Sequence, residues 1–114
     1  MTQTAQITKE NVEQIIAEAE SAARLAAQKA GELIGGDRGA CGFAWVEIRP
    51  ARGILAKALK DTGKGDKGWN GGIHVWNPAK APVQSIYILE QGACAYAAVL
   101  RNYGINAYAN SRLD

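Results

Sequence analysis

The chain has 114 residues and a mass of 12.1 kDa, with 47% hydrophobic and 21% charged residues. That size supports one domain, and the apolar share excludes wholesale disorder. The net charge of +2 is too mild for a general nucleic-acid binder, and no apolar run is long enough for a transmembrane helix.

The N-terminal stretch MTQTAQITKENVEQ is polar and lacks a signal-peptide core, so an intracellular protein is expected. Cys41 and Cys94 are too few for a disulfide scaffold. With the single histidine, His74, they supply three ligands, one short of a zinc site, and no metal or cofactor is expected. Charge is uneven along the chain. Residues 1–34 carry three cations against five glutamates, and residues 35–114 carry ten cations against six acids. A compact anionic ligand held by a few arginines suits that balance.

The first element is a long helix over 9–34. Thr8 is its expected N-cap, and Glu10 and Glu13 complement the dipole. Apolar residues recur at helical spacing from Val12 to Ile34, and Gly35-Gly36 ends the pattern. Such a helix would be about 39 Å long beside a body about 30 Å across. It is therefore expected to overhang and to pack its alanine stripe on another subunit. The alternative is a helix lying on its own sheet.

The remainder alternates. GFAWVEIR at 42–49 reads as a strand with Gly42, Ala44, Val46 and Ile48 on one face and Phe43, Trp45, Glu47 and Arg49 on the other. Pro50 suits the first turn of a helix over 51–61. A glycine-rich loop over 62–72 leads to a short strand at 73–77. A helix runs from 83–85 to about Tyr103, and a strand over 105–110 precedes the tail. The order α-β-α-β-α-β implies an α+β fold: a long N-terminal helix, then a small sheet with two further helices. The expected division is an oligomerisation helix at 1–34 and a ligand-binding body at 35–114. Three short strands are thin, so pairing across a dimer or a further hairpin strand is expected.

GKGDKG at 63–68 fits G-x-G-x-x-G, but it follows a helix and leads into a strand. A dinucleotide fingerprint needs the reverse context, so the segment reads as a flexible loop or lid. No catalytic residue is assigned. Cys94 reads as a buried small residue within a helix, and Cys41 reads as packing.

The binding signal is stronger. Arg49 and Arg52 flank Pro50 where a strand enters a helix, and guanidinium forks suit phosphate oxygens. Trp45 shares a face with Arg49, and His74 shares one with Trp76. Aromatic faces beside arginines suit a nucleobase and its phosphates. Trp45 and Trp76 are equally well read as core, and Arg101 as a cation at a helix C-terminus.

CGFAWVEIRPARG at 41–53, QS at 84–85 and GINAYANSRLD at 104–114 are similar to a family of small phage proteins, the Thoeris anti-defence sponges of the first type. The resemblance implies a non-enzymatic protein in the host bacterial cytoplasm. It would sequester a cyclic ADP-ribose isomer made by TIR-domain immune proteins. It implies homodimers, in some members homohexamers holding cyclic trinucleotides at a separate site, with signal pockets at the dimer interface. It places Arg49 and Arg101 on phosphates, His74 or Trp76 against the adenine, and Gln84, Arg112 and Asp114 near the same pocket. Arg24 is the candidate for the trinucleotide site. The other readings are an RNA- or DNA-binding module, a helix-mediated protein-interaction protein, and a small enzyme acting on a nucleotide ligand.

Overall fold

Alternation within residues 42–49 sets the architecture. The computed structural model describes residues 6–114 and places this segment as β1, Gly42–Arg49, in the middle of a four-stranded antiparallel sheet. The chain order is α1 (Val12–Ile34), β1, α2 (Ile54–Asp61), β2 (Asp66–Lys67), β3 (Ile73–Trp76), α3 (Ile86–Asn102) and β4 (Asn106–Leu113). The spatial order is β2-β3-β1-β4. The fold is α+β as expected. The sheet has a fourth strand, β2, hidden from sequence reading inside the glycine-rich loop. β4 runs three residues past its expected end, because SRL continues the register opposite Gly42 to Ala44. Asp114 N–H closes it by donating to Cys41 C=O.

Ala44, Val46 and Ile48 of β1, Ile73 and Val75 of β3 and Ala107 of β4 face the helices and are buried with α3 residues Ile88, Leu89, Ala93, Tyr96, Ala97 and Leu100. Ser85 caps α3 by accepting from Ile88 N–H. The Asp37 carboxylate accepts the Gln84 and Ser85 N–H groups at 3.1 and 2.8 Å, an anion at a helix N-terminus.

α1 differs from expectation. Its stripe, Val12, Ile15, Ile16, Ala19, Ala23, Ala27 and Ala30, is buried in the same core and packs on α3 of its own chain. Gly92 explains the fit. A Cβ there would stand 3.4 Å from Ala23 C=O, ordinary contact, and 3.0 Å from Ala79 Cβ in the loop before α3, so glycine lets the two helices and that loop close together without displacement. The 23-residue helix is about 35 Å long, and its buried positions run from Val12 to Ala30, so nearly its whole length lies on the body. The helix begins at Val12, with Thr8 and Asn11 bonded reciprocally in the turn before it. Pro50 lies outside α2, which starts at Ile54 after Gly53. Cys94 is exposed on α3 and Cys41 is exposed at the start of β1, against the expectation of packing for both. Among the described residues, no helix is long and apolar enough to cross a membrane.

Candidate functional site

Among the described residues no helix covers the second face of the sheet, and antiparallel register arranges its side chains in rows. Glu47 sits between His74 of β3 and Tyr108 of β4. Trp45 sits between Trp76 and Asn110, Phe43 faces Arg112, and Arg49 faces Asn106. Carboxylate, imidazole, phenol and amide groups thus meet at the centre, with aromatic rings toward one end and Arg49 at the other.

Glu47 is the hub, and it is 1% exposed. Its carboxylate accepts from Arg49 Nε at 2.6 Å, from Asn70 Nδ2 at 2.6 Å, from Asn110 Nδ2 at 3.3 Å and from the Tyr108 hydroxyl. Burial alone raises a carboxyl pKa. Here the bonds from Tyr108, Asn70 and Arg49 outweigh it and hold Glu47 at about 2. The same contact raises the Arg49 pKa. Because an ionised carboxylate only accepts, Asn70 must turn its NH2 to Glu47 and its carbonyl oxygen to His74 Nε2, 3.1 Å away. His74 Nε2 therefore carries the proton. His74 Nδ1 and Trp45 Nε1 are buried with no partner among the described residues.

Residues 68–72 form a strap over this hub. Gly68 N–H donates to Gly72 C=O at 2.7 Å, and Arg49 Nη2 donates to Asn70 C=O at 2.9 Å. Gly68 lies so close on the His74 ring that a Cβ would overlap it. Trp69, 70% exposed, meets Trp45 and His74 edge-on with centroids 5.5 and 4.6 Å away. Trp45 is buried and stacks on the half-exposed Trp76 at 4.5 Å. Phe43 stands edge-on to Trp76, and the Arg112 guanidinium lies 5.3 Å from the Phe43 ring centre.

The expected site residues divide between the ends of the sheet. Arg49, Arg52 and Arg101 line one cleft of about 720 Å³, with Ile48, Ile54 and Ile105 among its apolar walls. The N-terminus of α2, which lacks a side-chain cap, opens into it. Arg101 Nη1 donates to Ala107 C=O at 2.8 Å. Gln84 and Asp114 line a cleft of about 400 Å³ beside Phe43 at the far end, where Arg112 also lies. Gln84 Oε1 lies 3.5 Å from Cys41 Sγ. Seven residue steps along β1 separate the ends by about 23 Å. His74 and Trp76 lie between them. Within one chain these residues do not form one pocket. Arg24 is elsewhere, exposed on α1 beside a cleft of about 400 Å³ that includes Gln28, Lys80 and Val83.

Glu47, Asn70, Trp69, Tyr108 and Asn110 escaped sequence reading as site residues. The alternation of β1 put Glu47 on the right face, but only strand register reveals its partners. Cys41 is six steps from the position facing His74, about 20 Å along the strand, so the two form no dyad within the chain. No cluster of three metal-ligating side chains occurs among the described residues.

These features define an α+β protein with one helix-covered and one open, aromatic sheet face. No protein-family model, curated protein or solved structure matches the chain.

Proposed function

We propose that the protein binds and sequesters a cyclic ADP-ribose type immune signal, glycocyclic ADP-ribose, without turnover. It would act as a phage anti-defence sponge and a homodimer in the host bacterial cytoplasm. The observation that carries this reading is the cleft of about 720 Å³ where Arg49, Arg52 and Arg101 converge beside the N-terminus of α2. Its size is right for a compact ligand, its apolar walls suit sugar and base, and its guanidinium groups suit a pyrophosphate. Arg49 takes a divided role. Its Nε and Nη2 hold Glu47 and Asn70, and Nη1 remains for a ligand. Arg52 and Arg101 then carry more of the phosphate contact.

The family resemblance supplies the isomer, the dimer and, in some members, the hexamer with cyclic trinucleotides, for which the Arg24 cleft is the candidate. The exposed outer positions Leu25 and Leu33 of α1 offer a contact for higher assembly. The test is isothermal titration with 1″–3′ glycocyclic ADP-ribose, then heat release and chromatography of the ligand. Submicromolar binding with intact ligand returned supports a sponge. A processed product would mean an enzyme, and absence of binding would remove the reading.

One observation favours a second reading. Phe43, Trp69 and Trp76 are exposed on the open face, as on sheets that stack single-stranded bases. Salt-dependent binding of an oligonucleotide, with no response to the cyclic nucleotide, would favour it.

A further inference from the structure

Beside the arginine cleft lies a second depression of different chemistry. The two share Arg52, Gly53 and Ile54. Beyond these residues a groove of about 750 Å³ runs between the start of α1 and the outer face of α2. Its floor is apolar, built from Val12 of α1 and from Ile54 and Ala58, which stand four residues apart on α2. Ile54 is 39% exposed there, a large apolar side chain without cover.

Four cations stand around that floor. Lys9 lies just before α1, Lys57 and Lys60 belong to α2, and Arg52 marks the border with the arginine cleft. All four are exposed. Among the described residues Asp61 is the only acid of the lining, and Lys57 Nζ already holds it at 2.9 Å. Lys9, Arg52 and Lys60 make no ion pair among the described residues.

We infer that this groove docks a short acidic segment of a partner protein. One apolar side chain of the segment covers Val12, Ile54 and Ala58, and carboxylates before and after it meet the lysines. The type of cation separates this surface from its neighbour. An ammonium on a flexible stem is a point charge and lacks the guanidinium fork that grips a pyrophosphate. Three of the four cations are lysines, and they come from both walls, which suits separate carboxylates. The floor asks for apolar cover, which a bare polyanion does not bring. Length sets the size of the segment. The eight residues of α2 span about 12 Å, matching about two turns of a docked helix or about four extended residues. The Lys57–Asp61 pair is exposed on both sides and worth little, so an incoming carboxylate takes Lys57 at small cost. The inference stands apart from the cyclic-nucleotide reading, because Lys9, Lys57 and Lys60 do not line the arginine cleft.

The test is selection on this chain from a phage-displayed library of random peptides of about twelve residues, a length that overfills the groove. Selected peptides are then synthesised and titrated by fluorescence anisotropy. They are expected to carry Asp or Glu on both sides of an apolar residue and to bind more weakly as salt rises. Lys9→Glu with Lys60→Glu should weaken them at least about tenfold. The same charge change away from the groove, Lys29→Glu with Arg38→Glu, should leave the affinity unchanged. Peptides remade with Asn for Asp and Gln for Glu should lose as much as the groove variant does, and they decide the matter if that variant does not fold. Selected peptides without acids, equal affinity for the two double variants, or no selected peptide at all overturns the proposal. Self-association of the wild type that Lys9→Glu with Lys60→Glu abolishes also overturns it, since a second copy then fills the groove. A chain that binds acidic peptides here and ignores 1″–3′ glycocyclic ADP-ribose keeps the docking groove and loses the sponge. A chain that binds the cyclic nucleotide and selects no acidic peptide does the reverse.

Discussion

Glu47 and Tyr108 face each other across β1 and β4, and the Tyr108 hydroxyl donates to a carboxylate that is 1% exposed. The pair belongs to a hub that also engages Arg49, Asn70 and Asn110. A hydrogen bond to a charged group is worth about 1.5–3 kcal/mol; Tyr108→Phe removes one such bond from Glu47, whereas Glu47→Ala removes the bonds from Tyr108, Arg49, Asn70 and Asn110 together. Glu47→Ala is therefore expected to destabilise more than Tyr108→Phe in urea unfolding. A neutral Tyr108→Phe would show that its bond to Glu47 is not formed in solution.

The low Glu47 pKa has a pH signature. Burial raises it, but the bonds from Tyr108, Asn70 and Arg49 bring it from 4.5 down to about 2. The unfolded chain then binds the proton more readily than the folded one, so this contribution is complete above about pH 5 and lost as pH falls toward 2. Linkage puts it at about 3 kcal/mol. Unfolding free energy measured from pH 6 to pH 2 should fall more for the wild type than for Glu47→Gln. Equal slopes would contradict the depressed pKa.

Gly68 permits the strap to lie on His74. Gly68→Ala introduces a Cβ that overlaps the imidazole ring, and the backbone must move away. A cost of about 1–3 kcal/mol is expected, as for overpacking elsewhere. Trp69 should lose its edge contact with Trp45, which near-ultraviolet circular dichroism would register. An unchanged spectrum and stability would mean that the strap is held differently.

Arg52 and Arg101 line the cleft without touching Glu47. Arg52→Ala is expected to weaken binding of the cyclic nucleotide at least about tenfold, or about 1.4 kcal/mol, with the unfolding midpoint unchanged. Arg49→Ala should lower both affinity and stability, since its Nε holds Glu47 at 2.6 Å. Equal affinities for wild type and Arg52→Ala in calorimetry would move the ligand elsewhere.

Cys41 and Cys94 are both exposed. A thiol reagent should titrate two groups per chain in the native protein without denaturant. One or none would place a thiol in a contact absent from the single chain.

Local pattern determined much of this protein. The two-residue period of GFAWVEIR made β1 and sorted its side chains to two faces, and it matched the strand residue for residue. The 3.6-residue stripe made α1, and Ser85 with Gly104 bounded α3 closely. These outcomes are legible because each depends on neighbours within one turn or one pleat of the chain. Where the stripe of α1 would go was not legible, since its placement on α3 depends on space at Gly92, more than sixty residues from Ala23. β2 was not legible because two residues carry no period. Glu47 was only an acid on a strand until register brought Tyr108 from sixty-one residues away and the strap brought Asn70 from twenty-three. The division of the arginines between two ends of the sheet arose in the same way. Sequence spacing sets the face of a strand, but only the pairing of distant strands sets which side chains meet there.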